Sequence, residues 1–568
     1  MSNNFFRVLN SPDTARCLQG AVVVAQQLLR TQEISKVVQQ NSKTLQELAR
    51  ITAEQLYDAQ ASNRTSIPDS TSTVDNGFKA EVNEEERAQM LKLQKQYEGK
   101  NEVVGSAEWR EKQVPGSPVA RVAGFGALAV GLVGGGVAEA ISRIGDASGK
   151  VSESVFASEG NSELLARSLC RMRGAALKVG QMMSIQDESL MPPHLAKALD
   201  KVRQNADIMP EKQLHGMLKN GLGEDWETKF VKFDPVPFAA ASLGQVHRAF
   251  VKDNESFDQE EIEVAVKVQY PGVAESIDSD LANLKMLASV TGVFPKGIFI
   301  ENIIKVMKEE LKEECNYVLE AEHQERFRDM ILFPSGNNQF YPSNDDNFYV
   351  PKVVSNLSTE RILTTEWAHG VPIDHVKHFP QSVRNSVGRR LLKLSLLELF
   401  HFRYMQTDPN YSNFLYDVDK DRITLIDFGA TRSYSKEFVS KYLELVWAAS
   451  NMNREKVLEI SKEIGFLTGE ESQLMVNAHI DAGLEVGRPF QRNAPFDFKA
   501  SKLSTKMSQH GTTFATERLT PPPREIYSLH RKLSGAYMTC IKIGAVFTCR
   551  DLLINTIEEI NPDLLENL

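Results

Sequence analysis

The chain has 568 residues, 42% of them hydrophobic and 25% charged, with a formal net charge of −10. This length exceeds what one hydrophobic core organises, so about two to four structural units are expected. The composition is that of a folded chain and excludes wholesale disorder, and the acidic balance argues against a nucleic-acid binder, which needs a basic excess to neutralise phosphates. The five cysteines (Cys17, Cys170, Cys315, Cys540 and Cys549) are scattered, without a CxxC pair or metal-ligand spacing, and point to a reducing compartment.

Residues 1–58 read as a presequence and N-terminal helical region. Only Asp13, Glu33 and Glu47 are acidic among the first fifty residues, and "MSNNFFRVLNSPDTARCLQG" spreads Arg7 and Arg16 among apolar positions, as a mitochondrial presequence does. An ordinary amphipathic helix is the alternative, because helical patterning continues through "TLQELARITAEQLYDAQ". Residues 59–117 read as a flexible linker, rich in Ser, Thr, Asp and Pro, interrupted by a short charged helix from Glu84 to Tyr97. Next, 118–145 holds "RVAGFGALAVGLVGGGVAEAISR", uncharged from Val122 to Ala138 and flanked by Arg121 and Arg143. Those 17 residues reach the lower limit of a membrane span. Ala127, Gly131 and Gly135 fall on one helical face, a small-residue pattern that lets a second copy pack closely. A membrane helix with a homodimer face is therefore expected, with a Gly-rich buried loop or re-entrant hairpin as the alternative.

Residues 151–225 read as helices, from "NSELLARSLCRMRGAALKVGQMMSIQ" with an Asn N-cap candidate at 161 to "LMPPHLAKALDKVRQNAD", with Pro near its start. The pattern then changes. Within 226–365, "VKFDPVPFAAASLGQVHRAFV" and "EIEVAVKVQYPGV" alternate like strands across the polar "KDNESFDQEE". The stretch "ENIIKVMKEELKEECNYVLEAEHQERFRDM" is helical by its i,i+4 Glu/Lys pairs. Short strands follow around "FYVPKVV" and "RILTTEW", and 366–568 is mostly helical apart from "MQTDPNYSNFLYDVDKDRITLIDFGATR".

A β-rich unit, a long helix and a helical unit carrying two aspartates follow the plan of a protein kinase, with nucleotide between two lobes. Lys267 lies inside an apolar strand, where an amine needs a partner. A triphosphate on one side and Glu320 on the other would supply it; a snorkelling lysine is the alternative. Asp408 and Asn413 stand five apart, so a carboxylate can position a nucleophile while the amide oxygen ligates Mg²⁺. Asp427 opens "DFG" fourteen residues on and can bridge metal to phosphates. Candidate catalytic residues are thus Asp408, Lys267 and Glu320, candidate metal ligands Asn413 and Asp427, and the cofactors ATP and Mg²⁺. The phosphate-covering loop contains Ala239, Ala240, Ala241 and Ser242 before Gly244. Alanine resists the positive φ that glycine accepts, so the cradle must have another shape.

"KVGQ" (Lys178, Gly180, Gln181), "AAASLGQVH", "VAVKVQYPGV", "EECNYVLEA", "QTDPNYSN" and "LIDFGATR", in this order over about residues 120–568, resemble the UbiB family of atypical kinases. The resemblance implies an α+β, protein-kinase-like two-lobed fold, with a β-rich N-lobe, a helical C-lobe, an N-terminal helical KxGQ extension and a membrane helix. It implies that Lys178 and Gln181 belong to an extension that folds over the nucleotide site and blocks protein substrates. Glu314, first residue of the family's ExD motif, would pair with Lys178; the motif's last position is the neutral Asn316 here. Backbone groups at Glu366 and Ala368, where the chain crosses between lobes, would bind adenine. It further implies ATP hydrolysis or lipid-precursor phosphorylation in coenzyme Q biosynthesis, with coenzyme Q biosynthetic proteins and inner-membrane lipids as partners. The location implied is the mitochondrial inner membrane, with a matrix-facing kinase-like domain.

Two other functions fit the residues. A conventional protein kinase is disfavoured by the alanine loop and the KxGQ segment, and a nucleotide-binding scaffold or lipid-handling chaperone would need none of Asp408, Asn413 and Asp427. His375 and His378 lack a third ligand and read as surface or core residues. "SLHRKLSGAYMTCIKIGAVFTCRDLL" reads as lobe core.

Overall fold

The structure is a computed structural model that describes residues 80, 82–103, 178, 208–241, 243–252, 260–291, 299–332, 347–408 and 410–566. The chain divides into two units, Met1–Asn76 and Gly77–Leu568, and everything described belongs to the second.

An antiparallel sheet forms the first lobe. Helix α1 (Glu84–Val103) precedes it in sequence, then α2 (Glu211–Leu222), β1 (Lys232–Phe233), β2 (Ala239–Ala240), β3 (Gly244–Lys252) and β4 (Glu261–Gln269). Helices α3 (Val273–Thr291), α4 (Ile300–Glu314) and α5 (Tyr317–Leu332) follow, then β5 (Phe348–Tyr349) and β6 (Ile362–Glu366). The sheet runs β1-β3-β4-β6, with β2 folded back on β3. Along β4 the side chains alternate, so Val264, Val266 and Val268 are fully buried on one face. There they pack with Leu214 and Leu218 of α2, Tyr270 and Leu311. The odd positions, Lys267 among them, face the other way.

The second lobe is mostly helical. It begins with β7 (Val371–Pro372), α6 (Gln381–Leu396) and β8 (Tyr404–Gln406), then β9 (Phe414–Asp417), β10 (Arg422–Leu425) and β11 (Thr431–Ser433). Helices α7 (Lys436–Ser450), α8 (Arg454–Ile464) and α9 (Gln473–Gly487) lead to β12 (Pro495–Asp497), α10 (Leu503–Ser508) and α11 (Gly511–Glu517). The chain ends with α12 (Arg524–Ile543), β13 (Val546–Thr548), α13 (Arg550–Ile560) and α14 (Asp563–Glu566). β9 and β10 form the hairpin expected between Asn413 and Asp427, extended by β7 on one side and by parallel β5 on the other. Ser435, Asn453 and Ser472 cap α7, α8 and α9 by accepting from the third amide of each helix, a local choice written in the sequence.

The mixed α/β, two-lobed arrangement is broadly that of a kinase, but one element of the expected fold is corrected. Among the described residues no helix is long and apolar enough to cross a membrane. The longest, α1 and α12 at 20 residues each, carry charge throughout, including Arg531 and Lys532 within α12. The expected localisation at the inner membrane is corrected by the same finding. Segment 118–145, with Ala127, Gly131 and Gly135, lies outside the described residues, as do the presequence region and all but one described residue of 151–207.

α1 extends six residues beyond the expected Tyr97 and is docked on the second lobe. Met90 is buried in that lobe's core. Gln94 Oε1 accepts from the amide of Val418 at 2.9 Å, and Glu98 Oε1 from that of Gly370 at 3.0 Å. Arg87 also donates to the carbonyl of Asp419, and Tyr97 meets the His375 ring, so much of the docking is polar and composition alone suggested a linker.

Candidate active site

Lys267 sits on the central strand β4, opposite Val246 of β3 and Leu363 of β6. Its Nζ donates to both carboxylate oxygens of Glu320, at 2.6 and 3.0 Å, and lies 3.4 Å from Asp427 Oδ2. Burial disfavours the charged amine, but Asp427 and Glu320 overcome it and hold Lys267 well above its ordinary pKa. Burial also pushes the Glu320 carboxyl up, against the pull of Lys267. The buried lysine is therefore paired with Glu320 and touches Asp427, whose side chain is 31% exposed.

Lys178, the described residue of the KxGQ segment, reaches the same centre. Its Nζ lies 3.1 Å from Glu314 Oε2 and 3.0 Å from Asp408 Oδ2. The first contact was expected; the second was not, and it places the ammonium directly on the candidate catalytic carboxylate. Asp408 is held below the usual carboxylate range despite its burial, chiefly by Lys178, while burial pushes Glu314 up to about 7. Gly180 and Gln181 lie outside the described residues, as does Ser242.

Asp408 follows β8, and its Oδ1 accepts from the amide of Asn410 at 3.3 Å. Asn413 is buried, its carbonyl accepts from the amide of Ile426, and its side-chain Nδ2 has no partner. The hairpin thus ties the Asn413 turn to the Asp427 turn. Asp427 Oδ1 accepts from the amide of Gly429 at 3.1 Å. The Asp427 carboxylate and the amide oxygen of Asn413 are hard oxygen donors and fit a small divalent cation that takes its remaining ligands from phosphate and water. Among the described residues no group of three or more His, Cys, Asp or Glu forms a self-sufficient metal cage.

The alanine loop is a hairpin. Ala239 pairs with Val246 and Ala240 with Gln245, and the amide of Ala241 donates to the carbonyl of Gly244 at 2.8 Å. Gly244 has no room for a side chain: a Cβ there would lie 2.5 Å from the carbonyl oxygen of Val268 and 2.8 Å from the Tyr317 hydroxyl. Behind it, buried Gln245 donates to His247 Nε2 and accepts from the amide of Met209. His247 Nδ1 faces the carbonyl of Asp234 at 2.9 Å, and burial lowers its pKa to about 4, so the ring is neutral. Sequence reasoning missed this pair, because its partners lie off the strand.

Asn316 turns away from the centre. Its Oδ1 accepts from the amides of Val318 and Leu319 at 3.1 and 3.3 Å, so it caps α5. An N-cap oxygen is a property that Asp and Asn share. At the crossing between lobes, the Glu366 carboxylate accepts from Tyr349 Oη and the amide of Lys352, and its own amide donates to Lys352. No hydrogen bond among the described residues engages the amide of Ala368.

Comparison with known proteins agrees with this geometry. A family model described as the ABC1 atypical kinase-like domain matches residues 201–461. The chain is 43% identical to the mitochondrial atypical kinase coq-8 of Caenorhabditis elegans, over 78% of this chain and 57% of that one. It is 42% identical to the mitochondrial atypical kinase COQ8B of Rattus norvegicus, over 79% and 82% of the two chains, and 41% identical to that of Danio rerio, over 78% and 69%. The chain therefore spans little more than half of the nematode relative and most of the rat one.

Proposed function

The chain belongs to the ABC1, or UbiB, family of atypical kinases, and we propose that it binds ATP with Mg²⁺ and serves coenzyme Q biosynthesis by hydrolysing ATP or phosphorylating a small lipid precursor. The observation that carries this reading is the doubled lysine arrangement. Lys267 is held by Glu320 beside Asp427, as a phosphate-binding amine must be, while Lys178 lies across Asp408, where a protein substrate's hydroxyl would have to enter.

In this reading Lys267 neutralises phosphate oxygens, and Glu320 keeps it aimed. Asp427 and Asn413 would hold Mg²⁺, which would supply charge neutralisation on the transferred group. Asp408 would orient water or a small hydroxyl acceptor, and the amide of Ala368 and the carbonyl of Glu366 would take the adenine edge. The hairpin at Ala239–Ala241 would cover the phosphates in place of a glycine loop, with the Ala241 amide already given to Gly244.

The test is the destination of phosphate. Purified chain given γ-labelled ATP, Mg²⁺, a generic protein acceptor and a phenolic quinone precursor should release label to water or to the precursor. Label on the protein acceptor would overturn the reading in favour of a conventional protein kinase. Nucleotide binding without any turnover would favour a nucleotide-binding scaffold.

A further inference from the structure

Two consecutive residues of α12, more than a hundred positions from Asp408 in sequence, are built into the back of its turn. The Arg531 guanidinium donates from Nε to the carbonyl of Thr407 and from one terminal nitrogen to Thr407 Oγ1, both at 3.2 Å. Both terminal nitrogens also donate to Glu310 Oε2 of α4 at 3.1 Å. Lys532 pairs with Glu398 at 2.9 Å and donates to Gln406 Oε1 at 3.1 Å, while Gln406 Nε2 donates to the carbonyl of Asp408 at 3.0 Å. Arg531, Glu310, Lys532 and Glu398 are each less than 5% exposed.

Glu310 and Glu314 are one turn apart on α4, so they share a face. Each is joined by a cation to the Asp408 turn: Glu310 through Arg531 to Thr407, and Glu314 through Lys178 to Asp408. On either side of the buried pair, Arg524 contacts Glu309 and Arg432 contacts Glu313, so three arginines of the second lobe meet one acidic helix of the first. Only the planar fork of an arginine can reach Glu310 and both Thr407 oxygens at once; a lysine is a point donor.

We infer that Arg531 is a positioning residue for phosphoryl transfer: it fixes Thr407, and so the aim of the Asp408 carboxylate, against the acidic face of α4. This rests on the reading of Asp408 given above. Thr407 has its own bonds to the carbonyl of Ala430, from its amide and from its hydroxyl, so the turn is held on the opposite side by the residue that follows Gly429. Arg531 adds a restraint from α12, beside that of Gln406 on the carbonyl of Asp408.

The test compares Arg531→Lys with the wild-type chain in three readouts: thermal midpoint, steady-state ATP turnover, and amide hydrogen exchange at Thr407 and Asn410. Lysine keeps the pair with Glu310 and should leave the midpoint within a few degrees. It cannot also hold Thr407, so kcat should fall about 10- to 100-fold with KM for ATP within about twofold, as expected for a misplaced reacting group. Exchange at Thr407 and Asn410 should quicken while that of α12 stays unchanged. Wild-type kcat and exchange in Arg531→Lys would overturn the inference, as would a kcat loss that merely follows a lowered midpoint. Absence of turnover in the wild type would sink the functional reading, while quickened exchange in the variant would still support the positioning role and unchanged exchange would overturn it. If Arg531→Lys does not fold, Thr407→Val removes the hydroxyl's bonds to Arg531 and to Ala430 and leaves the carbonyl bond to Arg531 in place; it should lower kcat several-fold, and an unchanged kcat would overturn the inference.

Discussion

Lys178 sits between two carboxylates that would otherwise repel each other across the Asp408 turn. Its charge is stabilised against burial by Asp408 and Glu314, so removing it exposes both a like-charge pair and a path to Asp408. Lys178→Ala should therefore widen the range of acceptors that receive phosphate, read with labelled ATP and a small peptide panel; unchanged behaviour with every acceptor would argue against occlusion. Replacing Asp408 by Asn should cut ATP turnover by about 100-fold or more, as for loss of a positioned base. Asp408, Asn413 and Asp427 were singled out by their spacing, and Lys267 and Glu320 as a strand amine and the helix carboxylate to pair it, a pairing the structure shows. Arg531, Lys532, Gln245 and His247 were not. Each acts through side chains or carbonyls distant along the chain or off its own strand, and an amphipathic helix pattern says nothing about which buried cation points at which turn.

At the scale of elements, α1 shows the same limit. A short charged helix was expected there within a linker, but its docking depends on Gln94 and Glu98 satisfying the amides of Val418 and Gly370. Gln94→Ala leaves the buried Val418 amide without its partner and should cost about 1–3 kcal/mol in chemical denaturation. Gly370 is a second such joint, at the crossing between lobes. Its φ is +131°, and a Cβ would lie 2.7 Å from the carbonyl oxygen of Tyr416 in β9. Gly370→Ala should destabilise by at least about 1 kcal/mol in the same assay, with backbone strain and overlap both contributing. Strands β3, β4, β9 and β10 were readable from alternation and from the hairpin signal. The parallel pairing of β5 with β10 was not, since those two residues of β5 join a sheet whose other members lie downstream.

Across the whole molecule, one imidazole among the described residues is fully buried and neutral. His247 stacks on Phe233 with centroids 5.1 Å apart, between Gln245 and the carbonyl of Asp234. Burial lowers it to about 4, against an ordinary 6.5. The unfolded chain takes protons at 6.5 that the folded chain refuses until near 4. Stability is therefore full above pH 6.5 and declines as pH falls toward 4, by about 3 kcal/mol for His247 alone. His247→Gln removes the titrating ring and should flatten the loss of stability between pH 6.5 and 4, followed by circular dichroism. Lys267 of the first lobe meets Asp427 of the second at the proposed nucleotide centre. Its most direct test is Mg²⁺-dependent phosphate release from ATP by the purified chain and by Asp427→Asn. The account predicts turnover in the wild type and its loss in the variant at unchanged thermal midpoint; equal turnover in both would contradict it.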